Sequence, residues 1–237
     1  MTGYHGGKQR IGKYIADIIN ERLDNDITIK GYCEPFCGML GVYSNIDNHP
    51  DIEYLAGDID DDLISFWSSK SIPTTIISRP EYDMLKSDTS RKAERGFYGF
   101  YNGFSNKKFS GYFCHPNVNR EKSRFLSSIN RIENFHRKFP SANFSTGDYT
   151  QYSRLRNYII YCDPPYENSR QHYLEKFDSE KFYSWCNAMS RHNIVYVSSY
   201  KVPDDLNWKV VWEKPIKNTC GTNINDNHRI ERLYMVT

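Results

Sequence analysis

Apolar residues recur at three- and four-residue steps between Lys8 and Leu23. Ile11, Ile15, Ile18, Ile19 and Leu23 would share one face, and this spacing predicts a helix. Thr28–Glu34 (TIKGYCE) and Glu53–Gly57 (EYLAG) read as short strands, stopped by Pro35 and Asp58. A helix is predicted over Asp60–Ser69, with Leu63, Ile64 and Trp67 on one side. Asn157–Cys162 (NYIIYC) is an apolar run of strand length that ends in Asp163-Pro164-Pro165. Ser179–Arg191 reads as a helix, Asn193–Ser199 as a strand, and Trp208–Glu213 and Glu231–Val236 as closing strands. Short strands alternating with helices predict an α/β fold, a mainly parallel sheet flanked by helices, with functional loops at the carboxyl ends of the strands. Residues 68–140 break the alternation and read as an insert with helices near 121–138. The chain then divides into a domain made of 1–67 and 141–237 and the insert between them.

Composition narrows the class. Of 237 residues, 38% are hydrophobic and 15% aromatic, with 19 Tyr and 13 Phe, which excludes disordered and low-complexity chains. No apolar run approaches the roughly 20 residues of a membrane span. The segment MTGYHGGKQRIGKYI has no signal-peptide core, so the expected location is cytoplasmic, not secreted. Six cysteines are scattered without a CxxC pair, and the histidines form no HExxH. Reduced structural thiols and no metal are expected.

The net charge of +2 conceals an asymmetry. Residues 68–140 hold 14 basic and 6 acidic residues, a net +8, inside an acidic frame of −6. Such an insert suits a polyanion; the other reading is a solvated basic helix face.

Asp163-Pro164-Pro165-Tyr166 is the strongest chemical signal; by chance a given tetrapeptide arises in a chain this long about once in a thousand. A rigid turn accounts for the prolines but not for the carboxylate before them or the aromatic after them. Amine chemistry on a nucleobase accounts for all four. The exocyclic nitrogen is a poor nucleophile because its lone pair is delocalised into the ring. Accepting both N–H hydrogens, by the Asp163 carboxylate and a proline-flanked carbonyl, favours a pyramidal nitrogen with its lone pair free. Tyr166 offers a flat face for the base.

With these motifs the chain resembles the Dam-like DNA adenine methyltransferases, which use S-adenosylmethionine, over nearly its whole length. Tyr4-His5-Gly6-Gly7-Lys8 is similar to the family's N-terminal motif, Glu34-Pro35-Phe36-Cys37-Gly38 to its cofactor loop, and Gly57-Asp58-Ile59-Asp60 to its acidic motif. Gly147-Asp148 is similar to a third cofactor element, and Ser198-Ser199-Tyr200 to a strand end. Tyr101-Asn102-Gly103 through Gly111-Tyr112-Phe113 is similar to its DNA-binding segment. One position departs: the family's second loop glycine is here Leu40, with Gly41 beside it.

The resemblance implies a Rossmann-like methyltransferase that flips a target adenine out of double-stranded DNA and methylates its 6-amino group. It implies catalytic roles for Asp163, Pro164, Pro165 and Tyr166. It implies S-adenosylmethionine contacts from Tyr4, Lys8, Glu34, Phe36, Gly38, Asp58, Asp148 and Asp163, with Lys8 and Tyr4 closing over the cofactor. Asp58 also has the spacing of an acid that bonds ribose hydroxyls, the alternative being a helix N-cap. Tyr101, Asn102, Lys107, Lys108, Arg120 and Arg124 are candidate DNA contacts, with the aromatic segment also readable as a satellite core. Restriction-modification is a setting the family implies. The alternatives that stay open are the same chemistry on another amino acceptor (RNA adenine, cytosine 4-amino or a protein glutamine amide) and a non-catalytic DNA-binding relative. The sequence leaves the oligomeric state between monomer and weak dimer, and does not give the recognition sequence.

Overall fold

The computed structural model describes residues 8–165, 177–217 and 228–237. Strands β1 (Gly31–Glu34), β2 (Glu53–Asp58), β3 (Asn143–Thr146), β4 (Tyr158–Cys162), β5 (Ile194–Ser199), β6 (Lys209–Lys217) and β7 (His228–Met235) form a seven-stranded sheet in the order β3-β2-β1-β4-β5-β7-β6. The first five are parallel and β7 runs antiparallel to both neighbours. The expected α/β architecture, a mainly parallel sheet flanked by helices, is present.

Central strands are buried on both faces, so they read as continuous apolar runs. All five residues of β4 are buried. Alternate residues face opposite layers: Tyr32, Ile159 and Tyr161 join one apolar cluster, and Cys33, Ile160 and Cys162 the other. Burial pushes the Cys33, Cys37 and Cys186 thiols well above the usual range, consistent with packing residues rather than nucleophiles.

Helix α1 spans Gly12–Asn25 and buries Ile15, Ala16, Ile19 and Leu23, the predicted face. It begins four residues later than the periodicity suggests. Residues 8–11 form a turn in which the Lys8 carbonyl accepts from Ile11 and Gly12, and this places Lys8 at the carboxyl edge of the sheet. Helix α2 (Asp61–Ser69) is capped by Asp60, whose side chain accepts from the Asp62 and Leu63 amides. The cap is therefore Asp60 and not Asp58.

Between α2 and β3 lie α3 (Arg79–Ser87), α4 (Lys92–Tyr101) and α5 (Val118–Lys138). These helices are not a separate body. Phe97, Tyr98, Phe100, Tyr101, Phe125 and Phe135 share one core with Tyr43, Tyr54, Phe66 and Trp67. The carboxyl-terminal part of α5 returns the chain to β3, the strand partner that periodicity did not disclose. β3 (NFST) is short and only half-buried, so it carries no apolar pattern.

Candidate active site

In a sheet of this order the connection from β1 runs toward β2, while β4 lies on the other side of β1. Ligands in open α/β sheets bind outside the carboxyl ends of strands at that topological switch point. Here it is flanked by Glu34 at the end of β1 and Asp163 just after β4, with Asp58 at the end of β2.

The Asp163 side chain is 18% exposed, and its Oδ1 accepts from Lys8 Nζ at 2.6 Å. The same ammonium lies 3.4 Å from Glu231 Oε1; Lys8 is 5% exposed and Glu231 2%. Burial works against the Lys8 charge, but Asp163 and Glu231 outweigh it and hold the lysine above its usual pKa. The resemblance implied that Lys8 closes over a cofactor. In the structure its ammonium is a buried counter-ion between two carboxylates. Glu34 is also buried and accepts from the Tyr32 hydroxyl at 2.6 Å. Its burial, with the nearby Asp163 charge, raises its carboxyl well above the usual range despite that hydrogen bond, favouring the neutral acid. Beside them the Tyr161 hydroxyl and Ser198 Oγ are 2.8 Å apart, both buried, at the foot of the strand end that carried Ser198-Ser199-Tyr200.

The loop after β1 is bolted to β2 and α2. Cys37 N donates to Gly57 O at 2.8 Å, Gly38 N to Asp58 Oδ2 at 3.0 Å, and Trp67 Nε1 to Gly38 O at 3.1 Å. Leu40, which replaces the family glycine, adopts φ 55°, the left-handed conformation glycine favours, and its side chain is 1% exposed. This left-handed conformation costs Leu40 about 1–2 kcal/mol, offset by burying an isobutyl group. Gly41 serves a different contact: a Cβ on Gly12 would lie 2.1 Å from the Gly41 carbonyl, so α1 and the loop meet backbone to backbone.

Asp58 binds Gly38 N through Oδ2 and Asp60 N through Oδ1. Burial pushes its carboxyl up to about 6, against the pull of these amides. Phe36 packs edge-on against Phe177 and Phe182 and lies 5.5 Å from the Tyr149 ring. Asp148 is exposed and accepts from Thr150 N, capping a short turn. Pro164 is buried and Pro165 half-buried. Tyr4 and Tyr166 lie outside the described residues.

The candidate DNA contacts separate into two groups. Lys107 and Arg120 are exposed. The other four have partners within the protein. Tyr101 is 1% exposed and donates to Glu121 Oε1 at 2.8 Å, and Asn102 is fully buried and donates to Phe113 O. Arg124 bonds Glu121 and the Tyr101 carbonyl, and its guanidinium lies 3.7 Å from the Tyr101 ring centroid. Lys108 lies 2.7 Å from Asp60 Oδ2 and 2.8 Å from Asp62 Oδ2. Of the two readings of the aromatic segment, the satellite core describes its inner face. Sequence reasoning missed Glu231 and Glu121. The first was detectable, because strand alternation puts Glu231 on the same face as Leu233, which is fully buried.

The resemblance carried by the motifs is borne out: residues 4–102 match the family of D12 class N6 adenine-specific DNA methyltransferases. No curated protein matches the sequence. Among solved structures, the rRNA methyltransferase aviRa from Streptomyces viridochromogenes aligns at 12% identity and TM-score 0.43, covering 96% of this chain and 84% of its own. The putative methyltransferase yhhF from Escherichia coli aligns at 9% and 0.36 over 97% and 88%. A putative methyltransferase complexed with SAH aligns at 13% and 0.35 over 99% and 54%. Likenesses this distant leave the acceptor undefined.

The donor set fits the cofactor. A carboxylate at the end of β2 suits a ribose diol, and the left-handed Gly38 (φ 47°) brings bare backbone to the same edge. Among the described residues no helix is long and apolar enough to cross a membrane.

Proposed function

We propose that the chain transfers a methyl group from S-adenosylmethionine to the 6-amino group of adenine in double-stranded DNA, with the target base flipped out of the helix. The observation that supports this most is the part-exposed Asp163 carboxylate at the switch point, fixed by Lys8 and followed by two prolines. When bound, the cofactor supplies an activated methyl group, so the protein's task is positioning. Asp163 accepts one amino hydrogen and a carbonyl of the Pro164-Pro165 turn accepts the other, which frees the nitrogen lone pair. Tyr166 stacks on the base. Glu34, Phe36, Gly38, Asp58 and Asp148 line the cofactor's side, and residues 68–140 recognise the target. Lys107 and Arg120 meet phosphate, while Tyr101, Asn102, Lys108 and Arg124 shape the surface that carries them. DNA as substrate fits a cytoplasmic protein. Competition between duplex DNA and RNA of the same sequence for labelled methyl groups tests the acceptor: label is expected in DNA, and preferential labelling of RNA overturns the assignment.

Asp58 gives a pH test. Its carboxyl titrates near 6, so it is ionised at pH 7.5 and accepts ribose hydroxyls, and it is mostly protonated at pH 5. If only the ionised form binds, cofactor affinity is expected to fall about tenfold between pH 7.5 and pH 5, with the fall absent in Asp58→Asn. Calorimetric titration measures both; an affinity independent of pH in the unmodified protein removes Asp58 from the ribose site.

Lys107→Ala is expected to weaken DNA binding for every sequence and to reduce the slope of log affinity against log salt by about one. Lys108→Ala should leave that slope unchanged, because Asp60 and Asp62 already hold its ammonium. Equal slope changes for the two would return Lys108 to the DNA interface.

A further inference from the structure

Glu231 sits on β7 one step beyond the pairing of Ser199 with Arg232, level with the carboxyl edge of the parallel strands. It is 2% exposed, and a carboxylate that far from water is costly unless a cation meets it. That cation is Lys8, which also bonds Asp163, at 2.6 Å against 3.4 Å to Glu231. One ammonium therefore serves two carboxylates. The exposures rank inward in the order Asp163, Lys8, Glu231, at 18%, 5% and 2%. Tyr200 also faces Lys8, and Glu34 faces Asp163 from β1. Only the outermost member can meet a substrate; the innermost acts on it through the lysine.

We propose that Glu231 is a positioning residue for methyl transfer: it anchors the Lys8 ammonium from the sheet side, and Lys8 in turn holds the Asp163 carboxylate in the orientation that receives the acceptor's amino hydrogens. The proposal rests on the methyl-transfer reading above and adds to it a residue that touches neither cofactor nor base. When Asp163 turns its hydrogen-bonding capacity to the incoming amine, Glu231 keeps the lysine charge partnered and in place. Without it the ammonium loses its anchor on the sheet side, and the carboxylate loses its fixed bearing. Small misplacements of a reacting geometry lower the rate while leaving binding intact.

The test is a double-mutant cycle on single-turnover methylation. Glu231→Gln keeps the side-chain shape and removes the charge. It is expected to lower the single-turnover rate about tenfold, with cofactor and DNA affinities within about twofold of the parent. In a Lys8→Met background the same change is expected to cause no further loss of rate, because the link through which Glu231 acts is gone. Equal losses in both backgrounds, or an unchanged rate in Glu231→Gln, overturn the proposal. Should Glu231→Gln not fold, as judged by cofactor binding, Glu231→Asp decides: it keeps the charge one methylene further back. It is expected to lose rate in the parent background and not in Lys8→Met; no loss in the parent, or a loss in both, overturns the proposal. Asp163→Ala separates this from the parent reading. If that variant methylates normally the methyl-transfer reading fails, whereas an inactive Asp163→Ala beside a fully active Glu231→Gln removes Glu231 alone.

Discussion

Asp163→Ala is expected to bind S-adenosylmethionine like the parent protein and to transfer methyl groups about 10²–10³-fold more slowly, the loss typical of removing one preorganised electrostatic group from an active site. The fold should tolerate the change, because Lys8 retains Glu231 and so does not become an orphaned buried cation. Asp163→Asn sharpens the result. It is nearly isosteric, but where its amide turns N–H toward the acceptor it repels the amino group, so its rate should be as low as alanine's. Measuring affinity and single-turnover rate on the same samples separates chemistry from binding. A parental rate in either variant rules out the amine-cradling role of the turn.

The second large effect concerns stability. Lys8→Met removes the cation shared by Asp163 and Glu231, one of which is almost fully buried. Breaking a buried ion pair by deleting one partner costs about 3–5 kcal/mol, and the urea midpoint should fall accordingly. The pH dependence follows from the signs. In the parent the folded-state pKa of Lys8 is raised, so the stability it contributes is fully present below its unfolded value of about 10.5 and is lost only above the folded one. That contribution is constant across pH 5.5–8, so the gap between parent and variant is expected at both ends of this range. A gap below about 0.5 kcal/mol at both pH values, the range of an ordinary surface substitution, would falsify the buried-counter-ion description.

Much of the scaffold was legible because its signals are local. The isoleucine spacing of α1 and the apolar run of β4 each carry their period within one element, and the prolines after Cys162 mark where that strand stops. Burial of both sheet faces gives central strands a strong pattern, whereas the edge strand β3 leaves none. Asp58 and Asp60 were interchangeable as helix caps on paper; only the amides each one meets distinguish them.

The interior of the site was less legible. The Lys8–Asp163 pair joins residues 155 apart in sequence, and nothing in either motif specifies that they meet. Aromatics and arginines of the insert read equally as nucleic-acid contacts or as a core. Tyr101 is buried and Arg124 half-buried over Glu121, which is held below its usual carboxyl pKa, against its burial, by Arg124, the His115 amide and the Tyr101 hydroxyl. A glutamate inside a basic, aromatic stretch was the cue that part of the positive charge is internally neutralised. Leu40 shows the converse case. A departure from the family's glycine pattern looked like a different loop, yet the backbone keeps the left-handed turn and the side chain pays its own way in the core.

The most direct measurement is nucleoside analysis after reaction. The protein is incubated with S-adenosylmethionine carrying a heavy methyl group and with unmethylated duplex DNA; the DNA is digested to nucleosides and analysed by mass. The expected product is heavy N6-methyladenine, absent with Asp163→Ala. Heavy methyl on cytosine, or none on DNA from a protein that binds the cofactor, would contradict adenine methylation by this site.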